Sequence, residues 1–268
     1  MNTSKLIFHK YQGCGNDLII IDNRNHLFDI DNQDLIANLC DRHFGIGADG
    51  LMLLNSSSEY DFEMQYFNSD GKVGSMCGNG GRCIVAFAEH QGIIKNSTRF
   101  LASDGSHYAE IIKKDIIRLQ MNDVETDNAI FINTGSPHHL EFVEEINDLN
   151  VFSEGKQIRF SKQYAPNGTN VNFIKQKRNK LFVRTYERGV EDETLSCGTG
   201  VVASAIAFAI KNDKFGKQEY IIETKGGKLK VQFQRNNKLF VDIFLEGYAK
   251  LVFKGEIGDL KCDNAIMR

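Results

Sequence analysis

The segment 201–210, VVASAIAFAI, constrains the fold more than any other part of the chain, because every residue in it except Ser204 is apolar. Its small apolar residues predict a helix, and a helix without a polar face must be enclosed by other structure. The motif Cys-Gly-Thr-Gly (197–200) precedes it, and a second segment of the same design, CGNGGRCIVAFA, covers 77–88. The sequence therefore predicts two buried helices, each beginning just after a Cys-Gly pair.

The sequence around these two segments is typical of short β strands. Alternating apolar and polar residues, separated by charged or Asn-containing turns, predict three hairpins, over 110–121, 172–186 and 231–244. One further helix is predicted over 32–43, where the pattern is amphipathic and Asp31 is the expected N-cap. The enclosing structure for the apolar helices is therefore expected to be β sheet.

The same order of elements occurs twice along the chain: two strands, a polar loop, a Cys-Gly helix, a strand and a hairpin. This repeat predicts an α/β (α+β-like) fold of two pseudo-symmetric domains, each a curved, mostly antiparallel β sheet wrapped around a central helix. We expect an N-terminal domain over 1–122 that carries Cys77 and a C-terminal domain over 123–253 that carries Cys197. The tail, 254–268, is expected to complete the first domain.

Composition excludes several classes of function. The 32 basic and 35 acidic residues give a formal net charge of −3, so the chain has no electrostatic signature of nucleic-acid or anionic-membrane binding. Neither a signal-peptide pattern nor an apolar run of about 18 residues is present, so we expect a cytoplasmic protein. The six cysteines form no CxxC pair, and no clear phosphate cradle or metal cluster occurs. We therefore expect neither a metal nor a cofactor.

Two cysteines at helix starts indicate a particular chemistry. A thiol beside the free N–H groups of a helix N-terminus is expected to have a lowered pKa, and the same N–H groups can bind a carboxylate. Inversion of a stereocentre by proton exchange needs a base on one face of the carbon and an acid on the other. If Cys77 and Cys197 face a shared cleft, they supply both groups. The residues thus favour a cofactor-independent epimerase or racemase of an amino acid.

The motifs MCGNGGRC (76–83) and ERGVEDETLSCGTG (187–200) closely resemble those of the diaminopimelate epimerase family. The resemblance extends over nearly the whole chain, through GCGNDLIIID (13–22), RHFGIGADG (42–50) and MQYFNSDG (64–71). It implies interconversion of LL- and meso-diaminopimelate without pyridoxal phosphate, in the biosynthesis of lysine and peptidoglycan precursors. It also implies an active site between the two domains and a homodimer.

Residue by residue, the resemblance implies that Cys77 and Cys197 are the acid/base pair and that His138 and Glu187 tune the two thiols. The substrate contacts that it implies are Asn16, Asn68, Gly78, Asn79, Asn170, Glu187, Arg188, Gly198 and Thr199. Two positions depart from the family pattern. Ser136 stands where many members have Asn; it is shorter and has no amide donor, so a contact there would be lost or bridged by water. Gly50 stands where some members have Gln, and that contact is not carried over.

Two alternative interpretations stay open at this point. The first keeps the fold and changes the substrate, as in proline racemase or the phenazine-pathway isomerase. The second is a thiol redox sensor or a non-catalytic amino-acid-binding module, in which Cys77 and Cys197 would form a disulfide on oxidation. Such a bond needs the two Cα atoms within about 4.4–6.8 Å of each other.

Overall fold

The structure is a computed structural model that describes residues 6–74 and 76–258. The α helices are α1 (Gln33–Cys40), α2 (Gly78–His90), α3 (Val151–Arg159) and α4 (Gly198–Lys211), with a short 3-10 helix at Lys162–Tyr164. The strands are β1 (Leu6–Gly13), β2 (Asn16–Asp22), β3 (Gly50–Asn55), β4 (Phe62–Asn68), β5 (Ser97–Ala102), β6 (Gly105–Lys113), β7 (Ile116–Gln120), β8 (Val124–Glu125), β9 (Phe131–Asn133), β10 (Pro137–Phe142), β11 (Asn170–Lys177), β12 (Lys180–Glu187), β13 (Asp192–Thr194), β14 (Gly216–Thr224), β15 (Gly227–Asn236), β16 (Leu239–Tyr248) and β17 (Lys250–Ile257).

The two Cys-Gly segments form α2 and α4, and each predicted hairpin is present as β6–β7, β11–β12 and β15–β16. The predicted N-cap of α1 is wrong, because Asn32, not Asp31, accepts a hydrogen bond from the Leu35 N–H at 3.0 Å. This helix also ends earlier than predicted. The Asp41 side chain accepts the backbone N–H groups of His43 and Phe44, so the chain turns there instead of continuing the helix.

Two sets of seven strands share one pairing pattern. The first set runs β1-β2-β3-β4-β5-β6-β7, and its successive pairs are antiparallel, parallel, antiparallel, parallel, antiparallel and antiparallel. The second set, β9-β10-β11-β12-β14-β15-β16, repeats these pair types in the same order. The mixed β sheets with few helices confirm the predicted fold class, two pseudo-symmetric halves each built around a helix.

The halves are joined edge to edge. Strand β7 of the first set pairs antiparallel with β16 of the second. At the opposite edge of the first set, β17 pairs with β1, so the chain returns to the N-terminal half at residue 250. The predicted domain division near Asn122 stays a prediction, and residues 259–268 of the predicted tail lie outside the described residues.

Each central helix is enclosed by its own half. Helix α2 packs against β1, β2 and β7, while α4 packs against strands β10 to β12, β14 and β15. Residues Val201–Ala207 of α4 have no exposed surface, as the absence of a polar face requires. The shorter helices α1 and α3 pack on the outside of the two halves, over separate apolar clusters. Within the described residues, no helix is long and apolar enough to cross a membrane.

Candidate active site

Helices α2 and α4 meet at their N-termini. A Cβ atom on Gly198 would lie 3.2 Å from the Cα of Gly78, so the two backbones approach at a distance that side chains would obstruct. Across the same contact, the Asn79 side chain donates a hydrogen bond to the Ser196 carbonyl at 3.0 Å. Because a cysteine is the N-cap residue of each helix, this contact brings both predicted catalytic thiols to one place between the halves.

Burial governs the two thiols. It raises the pKa of Cys77 and raises the pKa of Cys197 to about 12, and the nearby Glu187 carboxylate raises both further. The expectation of lowered thiol pKa values is therefore wrong for the free protein. The backbone N–H of Gly80 donates to the Cys77 sulfur at 3.2 Å, but this stabilisation of a thiolate is smaller than the cost of removing it from water.

A chain of hydrogen bonds leads to the Cys197 sulfur. The Asn172 amide nitrogen donates to the His139 carbonyl at 3.2 Å and contacts His138 Nδ1 at 3.0 Å. Since a carbonyl oxygen only accepts, this nitrogen is the donor and His138 Nδ1 is the acceptor. The proton of the neutral imidazole then resides on Nε2, which donates to the Thr199 hydroxyl at 3.0 Å. That hydroxyl lies 3.4 Å from the Cys197 sulfur and can donate to it.

His138 is neutral in this position. It has no exposed surface, and burial lowers its pKa to about 3, with the positive charge of Arg188 as a smaller cause. The predicted effect of His138 on a thiol would therefore act through its N–H and the hydroxyl of Thr199, not through an imidazolium charge.

Three further predicted residues lie together on the C-terminal half. Asn170, the Cα partner of His138 in the β10–β11 pair, donates to the Pro137 carbonyl and accepts the Arg188 backbone N–H at 2.9 Å. The Arg188 guanidinium has no carboxylate partner among the described residues. Glu187 ends β12 and accepts a hydrogen bond from Thr194 at 2.9 Å, while burial raises the pKa of its carboxyl group. The C-terminal half thus presents the Arg188 guanidinium, which no described carboxylate pairs with, beside the largely buried carboxyl group of Glu187.

The remaining predicted contacts lie on the N-terminal half. Asn16 begins β2, and its amide nitrogen donates to Asp49 at 2.7 Å. Because the Asp49 carboxylate only accepts, the Asn16 carbonyl oxygen is left to accept a hydrogen bond from a ligand. Arg42 holds the Asp49 carboxylate from its other oxygen at 2.8 Å. Asn68 is exposed at the end of β4, directly before the tight turn in which the Gly71 N–H donates to its carbonyl.

Arg82 is a residue that the sequence reasoning missed. Its guanidinium is fully buried in α2, where it donates to the Gly78 carbonyl at 2.9 Å and to the Asn79 side chain at 2.8 Å. Its Nε atom has no hydrogen-bond partner among the described residues, and no carboxylate there pairs with it. The sequence signal that could have identified it is a charged side chain within CGNGGRCIVAFA, the segment predicted to form a buried helix. Its positive charge favours negative charge on Cys77.

The described residues form neither a disulfide nor a cluster of metal-binding side chains. The five described cysteines are free thiols, so the Cys77–Cys197 disulfide of the redox alternative is not formed. Within residues 6–74 and 76–258, no group of three or more His, Cys, Asp or Glu side chains could hold a metal ion. The Ser136 carbonyl accepts the Thr134 N–H in a turn before β10. This departure from the family pattern is two residues before His138 in the chain.

The sequence of this chain is similar to those of known diaminopimelate epimerases. A family model described as diaminopimelate epimerase matches residues 8–126 and 130–252. The diaminopimelate epimerase of Flavobacterium psychrophilum is 52% identical over 93% of this chain and 99% of its own length. That of Chlorobaculum tepidum is 43% identical over 91% of this chain and 98% of its own length.

Solved structures of low sequence identity show the same fold. A Bacillus anthracis phenazine biosynthesis protein of the PhzF family has a TM-score of 0.72 at 16% identity, covering 95% of this chain and 99% of that chain. A hydroxyproline epimerase from Agrobacterium vitis has a TM-score of 0.69 at 14% identity, covering 95% and 92%. The fold alone does not separate these activities, but the sequence matches do, and they show that the chain belongs to the diaminopimelate epimerase family.

Proposed function

We propose that this protein interconverts LL- and meso-diaminopimelate by proton exchange at the α-carbon, with Cys77 and Cys197 as the acid/base pair. The observation that carries the proposal is the meeting of two cysteine-capped helix N-termini between the halves. In the biosynthetic role implied by the family, the product would supply lysine and peptidoglycan precursors. The substrate partner is thus a small amino acid.

In the proposed reaction, one sulfur as thiolate removes the α-proton from one face of the carbon. The electron pair left on the α-carbon delocalises into the adjacent carboxylate, and the other sulfur, as thiol, donates its proton to the opposite face. The base becomes a thiol and the acid becomes a thiolate, so the roles are exchanged for the reverse direction. Backbone N–H groups of Gly78, Asn79, Gly198 and Thr199, at the positive ends of two helices, would stabilise the charge on the carboxylate.

The raised thiol pKa values suggest how binding would activate the site. The Glu187 carboxylate raises the pKa of both thiols. An ammonium group of the substrate paired with Glu187 would cancel this effect, so one thiol would ionise more readily once the substrate is bound. At the other end of the substrate, the unpaired Arg188 guanidinium suits a second carboxylate, and Asn16, Asn68 and Asn170 supply amide groups around it.

The proposal is tested by incubating the protein with LL-diaminopimelate in D₂O, with a reductant and without added cofactor. We expect deuterium at the α-carbon together with meso product. The variants C77S and C197S should each lower the rate about 10²- to 10⁴-fold, because a serine hydroxyl is a poor acid/base near neutral pH. C40S, which changes a buried thiol of α1 that has no part in the proposed proton exchange, is the matched control and should keep the rate.

Two results would contradict the proposal. If no deuterium entered the substrate, the proposed activity would be wrong. A parallel incubation with L-proline would then show whether the protein is instead a proline racemase of the same fold. Near-normal turnover in either C77S or C197S would remove that cysteine from the mechanism.

We also propose that the protein is a cytoplasmic homodimer. Free thiols in the cleft need a reducing compartment, which supports the location. The outer edge strand β17 and its partner β1 expose the apolar side chains of Ile7, Val252 and Phe253, which a second copy could cover. Light scattering should give twice the 30.3 kDa mass of the chain, and a mass of one chain would contradict the dimer.

A further inference from the structure

The ring of Tyr66, on β4, lies between Gly50 and Gly74. A Cβ atom on Gly50 would lie 2.6 Å from Cε2 and 2.7 Å from the hydroxyl oxygen of Tyr66, and one on Gly74 would lie 2.4 Å from Cδ1. Real Cβ atoms do not approach other atoms this closely. The tyrosine ring therefore packs tightly beside Gly50, and together with the Phe67 carbonyl oxygen, 2.5 Å from the same Cβ position, it fills the space that a side chain at position 50 would need.

The second feature is the Tyr66 hydroxyl group, which has one O–H donor and two acceptor lone pairs. Among residues 6–74 and 76–258 it has no hydrogen-bond partner, although a tyrosine hydroxyl in a largely enclosed position usually has one. Tyr66 is two residues before Asn68 on β4, so both side chains point to the same side of the sheet. Its hydroxyl thus has a free donor and a free acceptor next to a predicted substrate contact.

The charges near this hydroxyl are negative. Burial raises the pKa of Tyr66, and Cys77, Asp49 and Glu187 lie close enough to raise it further. The phenol therefore stays protonated and neutral. A cationic group of a ligand is favoured beside two carboxylates, and the lone pairs of the phenol oxygen can accept a hydrogen bond from it.

We propose that the Tyr66 hydroxyl binds the substrate by accepting a hydrogen bond from an ammonium group. This inference rests on the proposed function, since it adds a substrate-binding residue to that site.

The test compares the steady-state kinetics of Y66F and wild type with LL-diaminopimelate. Phenylalanine keeps the ring, so the fold and the thermal stability should be unchanged. Loss of a hydrogen bond to a charged group should raise KM about 10-fold, with a smaller change in kcat. The matched control is Y108F, since the Tyr108 hydroxyl bonds to Glu110 on β6 and not to the cleft. Its KM should equal that of wild type.

The outcomes are distinguishable. Deuterium exchange by wild type with an unchanged KM in Y66F would overturn this inference and leave the proposed function standing. Absence of any exchange by wild type would overturn the proposed function and this inference with it.

Discussion

The starts of α2 and α4 have the same backbone design but different chemical surroundings. Each helix begins after a cysteine N-cap, with glycines at its first and third positions. Cys77 is half-buried and its sulfur accepts a backbone N–H, whereas Cys197 is 8% exposed and its sulfur contacts the Thr199 hydroxyl. A pseudo-symmetric scaffold thus provides two thiols in equivalent positions while their neighbours differ.

The two thiol surroundings differ most in charge at the fifth residue after each cysteine. It is Arg82 in α2 and Val202 in α4, and both side chains are fully buried. A positive charge therefore supports the first thiol alone, while the chain Asn172–His138–Thr199 supports the second. Proton exchange between two faces of a carbon needs two acid/base groups in place, but it does not need them to be identical. The repeat places the two cysteines in equivalent positions, and the side chains around each cysteine determine the pKa of its thiol separately.

Replacement of Arg82 should have the largest effect on this comparison. R82M removes the buried cation, so the pKa of Cys77 should rise by about one unit and its alkylation by iodoacetamide at pH 8 should slow about 10-fold. Mass spectrometry of each cysteine peptide gives the rates. R82K, which keeps the charge, should stay close to wild type.

Arg235 provides the matched control for this variant. It is also buried, and it donates to the Ala209 carbonyl at 2.8 Å near the end of α4, away from the cleft. R235M should lower stability without changing the alkylation of Cys77. Equal slowing in R82M and R235M would show that loss of packing, and not loss of charge, controls the thiol.

A smaller effect is expected at the second thiol. T199V removes the hydroxyl between His138 Nε2 and the Cys197 sulfur, so turnover should fall about five-fold while Cys77 alkylation is unchanged. Since the buried His138 N–H loses its acceptor, the free energy of unfolding should also fall by about 1–3 kcal/mol. T98V removes a hydroxyl bonded to Asp61, outside the cleft, and should affect stability alone. Equal turnover in the two variants would contradict the role of Thr199.

The smallest effect concerns acid stability. The pKa of His138 is about 3 in the folded protein, below its ordinary value of 6.5, so the unfolded chain takes up this proton first. The free energy of unfolding should therefore fall as the pH drops from about 6.5 towards 3, and H138Q should flatten that slope. Thermal unfolding between pH 4 and 7 measures it, with the exposed-residue variant H26Q as control.

The first half supplies a check on the same prediction. Burial also lowers the pKa of His9, on β1, to about 4, so this residue contributes its own share of the acid slope. H138Q should consequently remove only part of it. A slope identical to that of wild type would show that His138 is protonated in the folded protein at mildly acidic pH.

Local signals in the sequence predicted some elements well and others poorly. The apolar segment 201–210 and the hairpin turns depend on neighbours along the chain, and these predictions are confirmed. Strands β10 and β17 were missed, because each is stabilised by a partner far away in sequence, β11 for β10 and β1 for β17. Helix α3 was also missed, since three of its nine residues are charged and it buries only Val151 and Gly155.

For the candidate site, residue identities came from motifs and their surroundings came from the fold. The motifs indicated Cys77, Cys197 and the residues implied to contact substrate. They did not indicate that Arg82 is a buried cation, that Asp49 fixes the orientation of Asn16, or that Tyr66 occupies the volume beside Gly50. Each of these depends on contacts between separate elements, which no spacing along the chain encodes.

The sequence by itself determined that two cysteines begin two buried helices in a repeated β framework, because helix starts and apolar periodicity are set by residues a few positions apart. Only the tertiary structure decided the sign of the thiol pKa shifts and the neutral state of His138. Both depend on how much water is excluded when the two halves meet. Enclosure by distant strands removes the solvation of a charge, and here that cost exceeds the stabilisation that a helix N-terminus provides.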